Sequence, residues 1–255
     1  MIPKKIHYCW IGGKPLPESA KKCIKSWKKF CPDYEIIEWN ENNYDFTKNQ
    51  YMKDAFEAKK WGFVPDYARL DIIYRHGGIY LDTDVEIIKS FDDLLSNKGF
   101  AGFESAEYVN FGQGFGAEAG NPVIKKLMDS YEELSFRNAD GTLNLIASPA
   151  LNTETLKRLG LTQPAQYQVL CDSFNIYPIE YFCPKSYDDG IIRKTKNTYS
   201  IHHFDSSWFT PEMQKEKQER WNRKQKRARE KERRANLKSI FIKIFGEKLY
   251  KKLRE

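Results

Sequence analysis

Residues 65–84 constrain this chain more tightly than any other stretch. The segment 65–75 reads as a helix with Leu70 and Ile73 on its apolar side. His76-Gly77-Gly78 then turns the chain, and Ile79-Tyr80-Leu81 follows as a short buried strand running directly into Asp82-Thr83-Asp84. Side chains two apart on a strand share a face, so this reading points Asp82 and Asp84 at one divalent ion. Hard oxygen ligands suit Mg²⁺ or Mn²⁺, and substrate phosphates typically complete the coordination of such ions. A D-x-D also arises by chance and in solvated turns, so its setting has to carry the assignment.

That setting is α/β. Residues 5–10 form a first strand ending at Gly12-Gly13, Glu18 to Phe30 a helix stopped by Pro32, and residues 34–39 a second strand, which together make a βαβ unit. Residues 100–103 and 114–117 read as short strands around a Gly-rich turn. Asn121-Pro122 opens a helix to about Leu134, and residues 200–203 read as a last core strand. There is no internal repeat, and 255 residues with 40% hydrophobic content support one sizeable domain. The five cysteines, an odd number without a C-x-x-C pair, argue against a disulfide framework or a zinc module and for a reduced, cytoplasmic protein. The first residues lack the apolar core of a signal peptide, and no run approaches the roughly 20 apolar residues of a membrane-spanning helix.

Three motifs occur in order: Ile6-His7-Tyr8-Cys9-Trp10-Ile11-Gly12-Gly13; Asp66-Tyr67-Ala68-Arg69 with Asp71 and the run from His76 to Asp84; and His202-His203-Phe204-Asp205-Ser206-Ser207-Trp208. In them the sequence resembles glycosyltransferase family 32, with its DXD-containing sugar-transfer domain, and more distantly the clostridial glucosylating toxins. The resemblance covers most of residues 1–210. It implies a GT-A fold, a Rossmann-like mixed sheet flanked by helices that binds a nucleotide sugar. It also implies roles: Asp84 binds the metal most directly, and Asp82 faces the ribose and the sugar. Asp66 and Arg69, three apart on a helix and so on one face, would hold sugar hydroxyls and phosphate, the alternative being an ordinary surface pair.

His202 or His203 could add a metal contact; strand alternation lets only one face the site, and His202 is favoured. Ser207 and Trp208 resemble the toxin residues that close over the diphosphate. Tyr8 and Trp10 stand where the family packs an aromatic against the base, core packing being the alternative; stacking leaves uridine or guanosine open. Asn110, Gln113 and Asn152 fall in segments resembling those that line the sugar and acceptor pocket. No carboxylate stands out as a general base. The resemblance implies retention of anomeric configuration, with the leaving phosphate deprotonating the acceptor.

From Glu212 onward the chain carries 17 Lys+Arg against 7 Asp+Glu, which makes this tail strongly basic and the body, residues 1–211, mildly acidic. A helix here, with a break expected near Ala235-Asn236, would place Leu237, Ile240, Phe241, Ile244, Phe245 and Leu249 on one face. Residues 212–255 are therefore expected to lie on an anionic membrane surface, the alternative being docking on the catalytic domain. No nucleic-acid partner is expected, because the body has no basic patch with interleaved aromatics. The expectation is a retaining, Mn²⁺- or Mg²⁺-dependent hexosyltransferase at the inner face of the plasma membrane. It would move galactose or a similar hexose from a UDP-sugar to a lipid-linked oligosaccharide of bacterial capsule or surface polysaccharide. GDP-mannose is the alternative donor, and nucleic-acid binding through the tail the non-enzymatic alternative.

Overall fold

The computed structural model describes residues 1–206 and 209–245, apart from the side chains of Phe241 and Phe245. Its first half runs β1 (Lys5–Cys9), α1 (Glu18–Phe30), β2 (Glu35–Trp39), α2 (Gln50–Glu57), α3 (Val64–His76), β3 (Gly78–Tyr80), β4 (Val85–Ile87), β5 (Gly99–Phe103), β6 (Val109–Asn110) and β7 (Phe115–Ala117). The second half adds α4 (Pro122–Glu132), α5 (Ser148–Arg158), β8 (Gln168–Leu170), β9 (Phe174–Tyr177), α6 (Ile179–Phe182), β10 (Ser200–His202) and α7 (Pro211–Phe245).

The main sheet has the order β2-β1-β3-β7-β5-β9-β8, with β6 on β5. β1 pairs in parallel with β2 and β3, whereas β7 runs antiparallel to β3 and β5, so the sheet is mixed. Alternate side chains feed two cores. Ile6, Tyr8, Ile79 and Leu81 pack with Trp27 of α1, while Cys9 and Tyr80 join Met52, Leu70, Ile73 and Leu127 from α2, α3 and α4. A mixed sheet between helical layers is the GT-A arrangement.

Local chemistry explains why the elements start and stop where they do. The Asn49 side chain caps α2 by accepting from the Met52 amide, and Asn121 caps α4 by accepting from the Val123 and Ile124 amides. α3 begins with Pro65 in its first turn and ends at Gly77, φ +63°, in the left-handed region that glycine favours. Gly78, φ +109°, has no room for a side chain: a Cβ would lie 2.8 Å from Nε2 of His7. That imidazole donates from Nε2 to the Gly77 carbonyl (2.9 Å) and accepts at Nδ1 from the Trp39 indole (3.1 Å). The two bonds fit one neutral tautomer, and burial pushes the ring down to about 4.

The structure departs from the sequence reading in several places. β10 is not part of the main sheet; it pairs antiparallel with β4 in a separate two-stranded sheet. Leu81 is the last apolar residue before a turn, so Asp82, Thr83 and Asp84 do not continue the strand. α2, β4, α5 and the β8–β9 hairpin appear in segments the sequence left unparsed. α7 is continuous to Phe245 without a break at Ala235-Asn236.

The chain divides into two compact units, Met1–Ser186 with Ile192–Trp208, and Tyr187–Ile191 with Phe209–Glu255. Within the second unit, Trp221 of α7 donates its indole N–H to the Tyr187 carbonyl (2.8 Å). Gln225 donates to the Asp189 carbonyl (2.9 Å), and Lys224 pairs with Asp188.

Candidate active site

The two DXD carboxylates converge through a turn rather than through strand alternation. The Asp82 amide donates to the Gly112 carbonyl (2.8 Å), and the Val85 amide donates back to the Asp82 carbonyl (3.1 Å), closing the turn into β4. A Cβ on Gly112 would stand 2.0 Å from Oδ2 of Asp82, so any side chain there would displace that carboxylate. Asp84 is held from the far side by the residues just after β10. Its carbonyl accepts from the His203 amide (2.9 Å), and Oδ2 accepts from the Asp205 amide (2.8 Å). Phe204 and Ser206, flanking Asp205, take left-handed φ values of 57° and 49°, the kind of backbone strain kept at sites that need it.

His202 and His203 separate as alternation demands. Nε2 of His202 stands 3.3 Å from Oδ1 of Asp84, whereas Nε2 of His203 turns outward to Glu86 (2.9 Å). One ligand atom each from Asp82, Asp84 and His202 lie within 4.8 Å of one another. Two hard carboxylates and one imidazole are the donor set that would hold Mn²⁺ or Mg²⁺. Burial would push the Asp84 carboxyl up, but His202 and the Asp205 amide more than reverse this and hold it at about 2. Burial likewise opposes charge on His202, and Asp84 overcomes it, raising the imidazole well above its ordinary range.

Arg69 ties this centre to α3. Its guanidinium lies 3.0 Å from Oδ1 of Asp66 and 3.5 Å from Oδ1 of Asp82, with Nε donating to the Pro65 carbonyl (3.0 Å). Asp66 and Arg69 are buried, so they are not an ordinary surface pair. Burial pushes the Asp66 carboxyl up to about 6, against the pull of Arg69 and the Ser148 hydroxyl.

The remaining expected residues are placed less uniformly. Asn110 accepts from the Gly112 amide (2.5 Å) and donates to Glu104 (2.8 Å), which supports the loop under Asp82. Gln113 is wholly buried and donates to the carbonyls of Gly102 and Phe103, clipping the end of β5. Asn152 is wholly buried on α5. Tyr8 packs edge-on against Trp27 and donates its hydroxyl to Glu38 (2.6 Å), which is a core role; Trp10 lies just beyond β1, half-buried, with its indole on the Lys14 carbonyl (2.5 Å). Ser207 and Trp208 lie outside the described residues. Sequence reasoning missed Asp205, Gly112 and Glu104, the last a carboxyl that burial pushes up. The Gly-rich turn was the one local signal for Gly112.

Residues 17–101 match the model of the glycosyltransferase sugar-binding region containing a DXD motif. In that region the chain is similar to DXD-containing glycosyltransferases. Among curated glycosyltransferases and their relatives, it is 26% identical over 213 residues to an uncharacterized glycosyltransferase of Acanthamoeba polyphaga mimivirus, covering 76% of this chain and 82% of that protein. It is 27% identical over 143 residues to inositol phosphoceramide mannosyltransferase 3 of Schizosaccharomyces pombe, covering 53% of this chain and 38% of that one. It is 25% identical over 163 residues to subversion of eukaryotic traffic protein A of Legionella pneumophila, covering 52% and 25%. The chain thus spans well under half the length of the last two. The solved PaToxG glycosyltransferase superposes with a TM-score of 0.48 at 22% identity, covering 62% of this chain and 69% of that one. The matched sugar-binding region contains Asp66, Arg69, Asp82 and Asp84, whereas His202 and Asp205 join the site only through the fold.

Proposed function

We propose that this glycosyltransferase moves a hexose from a nucleoside-diphosphate sugar to a glycan or lipid acceptor with retention of anomeric configuration. One observation carries the reading: Asp82, Asp84 and His202 converge on a single ion-sized space, with Arg69 joining Asp82 to Asp66. The cation that Asp84, Asp82 and His202 would hold supplies Lewis-acid neutralisation of charge on the departing diphosphate. Arg69 faces the same phosphates and holds Asp82 in place. Asp66 orients sugar hydroxyls as an acceptor when ionised, and Trp10, not the core-packed Tyr8, is the aromatic left to meet the base. The C1–oxygen bond to the diphosphate breaks, the acceptor oxygen bonds to C1 on the same face, and the acceptor proton passes to the leaving phosphate. Positioning and electrostatics then carry the rate.

We assign Mn²⁺ as the ion, UDP-galactose as the donor, and a lipid-linked oligosaccharide of bacterial capsular or surface polysaccharide as the acceptor. Residues 1–211 would be catalytic. Residues 212–255 would hold the enzyme at the inner face of the plasma membrane. The exposed apolar side chains Leu237, Ile240 and Ile244 among lysines support that placement, and no helix among the described residues is long and apolar enough to cross a membrane. GDP-mannose is the second donor reading, favoured by the named mannosyltransferases among the relatives. The test is release of free nucleotide from a panel of UDP- and GDP-sugars with Mn²⁺ or EDTA, comparing wild type with Asp84→Ala. Turnover of one donor, lost with EDTA and in the variant, is expected; absence of both turnover and metal-dependent nucleotide binding in the wild type sinks the reading.

A further inference from the structure

The hairpin formed by β5 and β6 has two faces of different character. Phe103 pairs with Val109, and both are buried in the hydrophobic core. The other face carries Gly102 opposite Asn110 and, two residues further, Glu104 opposite Tyr108, whose carbonyl accepts from the Glu104 amide (2.9 Å). Glu104 is half-buried and Tyr108 is exposed. Among the described residues, Asn110 is the one group hydrogen-bonded to the Glu104 carboxylate, at Oε2, which leaves Oε1 free to accept. Neither Glu104 nor Tyr108 belongs to the segments that the family resemblance implicates.

This face adjoins the DXD turn. Oδ1 of Asp82 stands 3.5 Å from Arg69, while Oδ2 lies on the side of Gly112, whose amide donates to Asn110. Glu104 continues that line and comes within electrostatic reach of His202 and Cys183. Asp82 therefore stands between two flanks. In the reading above Asp66 and Arg69 take the donor on one of them, which leaves the Glu104 flank to the second substrate. With Asp82 and Asp84 close by, a further carboxylate repels anionic groups, and when ionised it can only accept a hydrogen bond. A hydroxyl meets that need, and the open ring of Tyr108 suits an apolar surface. A pyranose presents both, hydroxyls at its edge and C–H bonds on its face. The distance of about 5 Å between side chains opposite one another in antiparallel strands matches one such ring.

Resting on the glycosyltransferase reading, we propose that Glu104 and Tyr108 form an acceptor subsite that reads the terminal hexose of the acceptor. The sugar lays its C–H face on Tyr108 and donates one hydroxyl to Oε1 of Glu104. That hydroxyl neighbours the attacking one, whose proton still passes to the leaving phosphate. Recognition of this kind selects an acceptor that ends in a sugar over a bare lipid or a protein side chain.

The experiment pairs the donor that the wild type turns over with p-nitrophenyl α- and β-hexosides as sugar acceptors. A polyisoprenyl phosphate and a peptide containing serine and tyrosine serve as sugar-free acceptors. Transfer is measured for wild type, Tyr108→Ala, Tyr108→Phe and Glu104→Gln, with KM for acceptor and for donor determined separately. A hexoside is expected to be the preferred acceptor. Tyr108→Ala and Glu104→Gln should each raise its KM about tenfold while the donor KM moves by less than about twofold, and Tyr108→Phe, which keeps the ring, should stay within about threefold of wild type. Donor turnover with transfer to no hexoside would overturn the proposal. So would an unchanged acceptor KM in the variants, or an equal rise in both KM values, which is what a purely structural role produces. Wild-type failure to turn over any nucleotide sugar, by hydrolysis or transfer, would sink the glycosyltransferase reading instead, and this proposal with it.

Discussion

The burial of Asp66 comes at the expense of the fold. Its carboxyl, about 4 in an unfolded chain, is pushed up to about 6 by burial. A raised carboxyl pKa favours the neutral form in the folded state, so folding loses stability as pH climbs from about 4 through about 6. Above that range the deficit levels off at about 2–3 kcal/mol. Asp66→Asn is therefore expected to melt higher than wild type at pH 8 and close to it at pH 4, while turnover falls; chemical denaturation at the two pH values checks this. Gly112 makes the complementary case. Gly112→Ala would drive a methyl into Oδ2 of Asp82, so Mn²⁺ affinity measured by calorimetry should fall by an order of magnitude or more. At this scale the sequence was informative where chemistry is local: Asp82, Asp84, Asp66 and Arg69 stand together as their motifs suggested. Asp205 and Gly112 could not be found that way, because one acts through a backbone amide and the other through an absent side chain.

Among the elements, α1 and α3 were legible because each carries its own punctuation: Pro32 just after one, and Pro65 with Gly77-Gly78 around the other. β4 and β10, three residues each, hold no such signal, since each is a strand only because the other pairs with it. The same non-local pairing defeated the strand reading of the DXD segment: alternation was inferred where a turn closed by the Gly112 carbonyl decides the geometry. α7 reads as helix from composition alone, and its continuity through Ala235-Asn236 follows because Asn236 is a single weak helix position beside the strong helix former Ala235. Its exposed stripe leads to a prediction at this scale. The triple variant Leu237→Asp, Ile240→Asp, Ile244→Asp should lose co-sedimentation with anionic vesicles while nucleotide release from the donor stays within about twofold of wild type. Equal sedimentation of variant and wild type would remove the membrane assignment.

For the whole molecule, the site joins segments far apart in the chain: α3, the turn after β3, the loop before β7, and the residues after β10. A cation held by Asp82, Asp84 and His202 would bind the folded state only, and saturation to a hundredfold excess over Kd would add about 2.7 kcal/mol. For a protein of this size Mn²⁺ should raise the thermal midpoint by about 5–10 °C, and EDTA should reverse it. Asp84→Ala should abolish the shift, as differential scanning fluorimetry would show. The short ladder between β4 and β10 works here as a ruler, whose register alone decides that His202 and not its neighbour meets the carboxylates. A one-residue slip of that ladder would turn His202 away from the carboxylates and present its neighbour instead. The motif letters alone therefore do not assemble the site; the register of two three-residue strands does.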